Sequence, residues 1–179
     1  MAATLPEIAP DFAEWLRAQP MFFVATAPND GHVNVSPKGY DTFRVLGPHR
    51  VAYLDLTGSG VETIAHIREN GRITLMFCAF SGNPRIARLY GVGRVYELGS
   101  PDFETLVPAF EALPGARAII EVDVTRVTTS CGYSVPLLDL VEDRDRLVQW
   151  AVAKGEDALV DYRSSKNATS VDGLPGYGA

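Results

Sequence analysis

Residues 51–80, VAYLDLTGSGVETIAHIRENGRITLMFCAF, read as strand, glycine loop, short helix, helix stop and strand. Val51, Tyr53, Leu54 and Leu56 make an apolar strand, and Thr57-Gly58-Ser59-Gly60 follows where a helix should begin. Ile64, Ile67 and His66 give that helix an inward side, Glu62, Arg68 and Glu69 suit its wet side, and Asn70-Gly71 stops it. A helix start offers unpaired N–H groups and the positive end of the helix dipole, so it can hold a phosphate with few side-chain charges. An ordinary helix cap with a flexible approach loop explains the same residues equally well. Two nucleotide motifs fail here. In the dinucleotide fingerprint the third glycine is Thr63, and no acidic residue ends the next strand to hold a ribose. No Gly-Lys-Ser/Thr follows the glycines, which excludes the phosphate-loop pattern.

Outward from this stretch, the chain reads as strands framed by helices. Pro10-Asp11 opens a helix carrying Phe12, Trp15 and Leu16, and Pro20 ends it. Met21–Ala27 is an apolar strand, Pro28-Asn29-Asp30-Gly31 a turn, and Val33 and Val35 alternate with Asn34 and Ser36 in the returning strand. Phe43–Leu46 and Val51–Leu56 flank Gly47-Pro48 as a second hairpin, and Ile73–Phe80 reads as a strand buried on both faces. Gly91 and Gly93 inside the long strand Arg85–Leu98 suggest the bends of a barrel corner. A helix over Pro101–Leu113 and a strand over Ala116–Val127 complete the pattern. The expected remainder is a Thr128–Tyr133 loop, a helix over Leu140–Lys154, and a tail from Tyr162 with almost no periodicity. That tail is either disordered or an arm that folds over a cleft with the Ser130–Tyr133 loop.

With 179 residues and 46% hydrophobic content, the chain is expected to form a single domain over 1–179, with an N-terminal helix in 1–20 and a C-terminal helix and tail in 128–179. A net charge of −6 with scattered Lys and Arg argues against nucleic acid as a partner. No apolar run of about 18 residues predicts a membrane span. Cys78 and Cys131, the two cysteines, read as reduced spectator thiols of a cytoplasmic protein. His32, His49 and His66 share no metal-ligand spacing and read as surface or helix-flank imidazoles.

The element order, with Val33-Asn34-Val35-Ser36-Pro37-Lys38-Gly39, Tyr53-Leu54-Asp55-Leu56-Thr57-Gly58-Ser59-Gly60 and Glu69-Asn70-Gly71-Arg72-Ile73-Thr74-Leu75-Met76-Phe77, resembles the pyridoxamine 5'-phosphate oxidase-like family of FMN-binding split barrels. The resemblance covers roughly residues 20–127. It implies a mainly β fold with flanking helices, a six-stranded antiparallel split β-barrel, and a homodimer with FMN in clefts at the interface. The family's first FMN-contacting strand falls on Asn34, Ser36 and Lys38, with Lys38 matching a lysine near the flavin ring and the substrate. Its next contact falls on Leu54 and Asp55. Its phosphate-holding basic pair falls on Glu62 and Thr63, and an arginine of its first strand falls on Val33. Both are departures. Phosphate charge would then fall to the loop Thr57, Gly58, Ser59 and Gly60, the Thr63 hydroxyl, and Arg88 reaching across. The family's polar contact on that later strand is Ile86 here, and the chain lacks the arginine- and tryptophan-bearing end of the genuine pyridoxamine phosphate oxidases. Vitamin B6 oxidation is therefore not implied. The expected function is an FMN-dependent oxidoreductase of an unknown small molecule; a non-catalytic flavin-binding or sensing protein, or a deazaflavin or haem split barrel, remains the alternative.

Overall fold

The computed structural model describes residues 3–179. Its eight described strands form one antiparallel sheet: β1 (Ala3–Leu5), β2 (Phe22–Thr26), β3 (Asn34–Lys38), β4 (Phe43–Gly47), β5 (Arg50–Leu56), β6 (Arg72–Cys78), β7 (Ile86–Glu97) and β8 (Ala116–Ser130). The order across it is β3-β2-β6-β7-β8-β5-β4, with β1 added beside the end of β8. Its two ends, β3 and β4, follow one another in the chain yet are not hydrogen-bonded to each other. The barrel is split between them.

The inward residues of this curled sheet make one core. Val24, Leu75, Leu89, Ile120, Val51 and Tyr53 are fully buried in it, and Phe22, Phe43, Tyr53 and Phe77 pack ring against ring at 4.9–5.6 Å. Helix α1 (Pro10–Arg17) adds Phe12 and Leu16 to it, and α2 (Glu62–Asn70) adds Ile64 and Ile67. Gly71 ends α2 in the left-handed conformation at φ 72°, which a side chain would resist. On the outer side of β5 and β8, Leu54 and Ile119 are covered by Phe103 of α3 (Pro101–Leu106) and by Phe110.

The long strands β7 and β8 bend where Tyr90 pairs with Arg126 but Gly91 pairs with Val124, leaving Thr125 as the extra residue. A Cβ on Gly91 would lie 2.3 Å from the Asp123 carbonyl oxygen, so the bend depends on the missing side chain. Gly91→Ala is expected to cost about 1–3 kcal/mol through this backbone clash. The denaturation midpoint reads it, and an unchanged midpoint would mean that the bulge yields freely.

Several elements depart from the sequence expectation. The sheet has eight strands rather than six, because β1 precedes α1 and every hairpin strand pairs. β6 alternates, with Thr74 and Met76 half-exposed, so only one of its faces is buried. β8 continues through Thr128–Ser130 because β7 and β1 both pair there. The helix expected over Leu140–Lys154 is confined to α4 (Arg146–Lys154), and Leu140 and Val141 stand exposed ahead of it. After Gly155, a further helix α5 (Glu156–Lys166) forms across residues to which the sequence assigned no element and into the tail that begins at Tyr162. The tail is ordered too: Thr169 bridges Pro175, and the Gly176 and Tyr177 N–H groups bond the Ala168 and Asn167 carbonyls.

Candidate cofactor cleft

Strand β3 has an inverted dress. Its register places Asn34, Ser36 and Lys38 opposite the buried Thr26, Val24 and Phe22, so the polar set faces inward. Val33 and Val35 face out and are 72% and 60% exposed. The inward set opens on a cavity of about 330 Å³ whose walls include Ser36, Lys38, Tyr40, Leu54, Gly58, Gly60, Glu62, Thr63 and Arg117. A chain of hydrogen bonds fixes its rim. Ser36 donates to Asn34 Oδ1 at 3.2 Å, and Asn34 Nδ2 donates to Thr63 Oγ1 at 3.2 Å and Thr26 Oγ1 at 3.4 Å. Thr26 Oγ1 in turn meets His66 Nδ1 at 3.0 Å.

Below the cavity lies an ionic cluster. Asp55, in an otherwise apolar strand, is fully buried and accepts Lys38 Nζ at 2.8 Å and Arg117 Nε at 2.7 Å. Burial alone would raise its carboxyl pKa, but Arg117 and Lys38 together outweigh that and hold it at about 2. Arg117 also donates from Nη1 to Asn167 Oδ1 and from Nη2 to the Gly60 carbonyl, both at 2.8 Å. Asn167 Nδ2 donates to the Gly58 carbonyl at 3.0 Å, and Arg163 of α5 donates from Nε to Thr57 Oγ1 at 2.9 Å. Because the peptide unit is planar and trans, carbonyls turned toward Asn167 and Arg117 turn the Ser59 and Val61 N–H groups the other way. The glycine loop is held by its carbonyls.

Of the residues singled out from sequence, Ser36, Lys38, Leu54, Gly58, Gly60 and Thr63 line one cavity. Asn34 and Asp55 support it through the bonds above, Thr57 is buried against Arg163, and Ser59 is exposed. Arg88 is not brought to it; on β7 it donates to Ser130 Oγ at 3.3 Å. The Ser130–Tyr133 segment and residues 165–176 line none of the cavity either, the latter packing behind the glycine loop. His66 is not on the surface but wholly buried, and burial, its largest influence, lowers its pKa. Neither Arg117 nor Arg163 stands out in the sequence, and Asn167 does so only as one polar residue of the tail expected over the cleft. The available signal was a charge inside each of two apolar strands, Asp55 in VAYLDL and Arg117 in ARAII, since buried charges need partners.

The tail is latched at a second point. The His32 backbone N–H and Nδ1 meet the two oxygens of Asp172 at 2.8 and 2.7 Å. That hydrogen bond, then the charge of Asp172, raises the His32 pKa above its usual 6.5, and the contacts from His32 lower that of Asp172. A raised imidazole pKa contributes stability in full below 6.5 and loses it as pH rises through the raised value. Hydrogen-exchange protection factors over residues 170–178 are expected to fall in that window in the native chain and to stay flat in His32→Ala. Equal profiles in the two would remove His32 from the latch.

The chain is thus a split antiparallel barrel with a polar cleft beside a glycine loop and a helix start. A family model described as pyridoxamine 5'-phosphate oxidase matches residues 8–131, and the chain belongs to that family. The pyridoxamine 5'-phosphate oxidase family protein ustO of Aspergillus flavus is 44% identical over 189 residues, covering 94% of this chain and 75% of that protein. Among solved structures, HupZ of Group A Streptococcus is similar with a TM-score of 0.54 at 20% identity, covering 67% of this chain and 91% of that one. The FAD binding protein from Mycobacterium smegmatis has a TM-score of 0.50 at 15% identity, with 70% and 97% covered. At these identities the two structures speak for the fold. No helix among the described residues is long and apolar enough to cross a membrane.

Proposed function

We propose that this chain is an FMN-binding oxidoreductase of a small molecule, with the flavin in the cleft between β3, β5 and the start of α2. The observation that carries the reading is the cluster of Lys38, Asp55 and Arg117, where one carboxylate answers two cations at the wall of a ligand-sized cavity. Such a donor set fits an anionic group. Family membership and a structural relative named for FAD binding support a flavin. When bound, flavin supplies the hydride chemistry; the protein orients it and excludes water. Lys38 keeps donor capacity beyond its bond to Asp55, so it can hold a flavin or substrate oxygen at the cavity mouth. Leu54 and Leu56 supply apolar walls.

The same reading makes the protein a homodimer. Val35, Ala25, Thr74 and Tyr90 form one register row across the outer sheet face, and Pro37, Phe23, Met76 and Arg88 the next. With Val33 and Val35 bare, this face suits a second copy.

The test is flavin titration followed by anaerobic mixing with NADH or NADPH. Bleaching of the bound flavin and its return on adding oxygen are expected. Tight FMN binding without either change would identify a binder or sensor instead. A monomer in sedimentation at micromolar concentration with FMN bound would overturn the dimer.

A further inference from the structure

The family's basic pair at the helix start is Glu62 and Thr63 in this chain, so the helix that should receive a phosphate opens with a carboxylate. Glu62 is turned partly aside, accepting the Val171 N–H on Oε1 at 3.3 Å, yet it still lines the cavity. A compensating cation has to come from elsewhere. Arg88 is remote from this cavity within the chain, whereas Arg117 lies in its wall while only 4% exposed.

Arg117 is also built to a fixed aim. Asp55, Asn167 and the Gly60 carbonyl take three of its five N–H groups, one at each nitrogen. The terminal nitrogens each keep one N–H with no partner among the described residues. Its counter-ion Asp55 is shared with Lys38, so the cluster carries one positive charge more than it answers. A guanidinium held in this way presents a planar fork of the kind that matches phosphate oxygens. Burying such a cation is costly unless an anion completes it.

We infer that Arg117 is the phosphate-binding residue of the flavin cleft, replacing the family's helix-start pair, and that Asn167 is the positioning residue that aims its fork. The inference rests on the flavin reading above. It also gives the C-terminal arm a role in cofactor choice, because Asn167 stands just beyond α5 and ties both Arg117 and Gly58.

The 179-residue chain and its Arg117→Lys, Asn167→Ala and Glu62→Gln variants are titrated with FMN and with riboflavin by fluorescence quenching, after circular dichroism has verified folding. Arg117→Lys is expected to weaken FMN by about tenfold or more while riboflavin moves by less than about threefold, because only the phosphate loses a charged fork. Asn167→Ala should shift the same ratio less. A purely structural role would move both ligands together. Glu62→Gln should tighten FMN by about two- to fivefold and leave riboflavin unchanged, since it removes a repulsive charge from the helix start. An FMN to riboflavin ratio that is unchanged in both Arg117→Lys and Glu62→Gln overturns the assignment. Native protein that binds neither flavin overturns the flavin reading itself, a different result from unselective binding of both.

Discussion

Asp55→Ala is expected to remove about 3–5 kcal/mol of folding stability, the largest single-residue effect foreseen for this chain. The substitution deletes one small side chain but strands two cations, Lys38 and the buried Arg117, of which Asp55 is the shared counter-ion. Chemical denaturation at neutral pH measures it, and a loss below about 1 kcal/mol would show that water solvates the cluster. The pH dependence is a second check. The Asp55 carboxyl sits at about 2 in the fold against a usual 3.8, so its contribution is complete above 3.8 and is lost as pH falls toward 2. The stability gap between the native chain and Asp55→Ala should narrow across that window.

Ending the chain after Ala158 should do comparable damage by a different route. It removes buried Leu159, Arg163, Asn167 and Ser170 together with the hydrogen bonds of Arg163 to the Thr57 hydroxyl and of Asn167 to the Gly58 carbonyl. Burial of one leucine is worth about 1.5–3 kcal/mol and each hydrogen bond about 0.5–1.5 kcal/mol, so the sum is on the order of 5 kcal/mol. That is a large share of the stability of an ordinary domain. The shortened chain should melt well below the full one and bind FMN weakly. Equal melting temperatures and equal FMN affinity would reduce the arm to a passive extension.

The barrel was readable because its strands and turns obey local rules. Met21–Ala27, Val33–Lys38 and Val51–Leu56 carry period-two or continuous apolar patterns, and Pro28-Asn29-Asp30-Gly31, Asn70-Gly71 and Ser81-Gly82-Asn83-Pro84 mark their ends. Three features escaped for physical reasons. β1 is three residues long and owes its extension to pairing with β8. α5 buries Leu159 and Arg163, an apolar and a charged residue four apart, so its inner face leaves no hydrophobic stripe. The helix expected from Leu140 begins only at Arg146, and Leu140 and Val141 ahead of it stay exposed. Half of the cleft lay in the quoted motifs, while Arg117, Arg163 and Asn167 belong to it only through long-range contacts that no local window contains.

Those contacts carry a timetable. Arg163 and Asn167 lie 106 and 109 residues downstream of the Thr57 and Gly58 groups that they hold. At a synthesis rate of about 5–20 residues per second, a nascent glycine loop waits roughly 5–20 s before its anchors leave the ribosome. The cleft is therefore completed well after the strands that wall it have been made, and the barrel must survive that interval with its cleft unfinished.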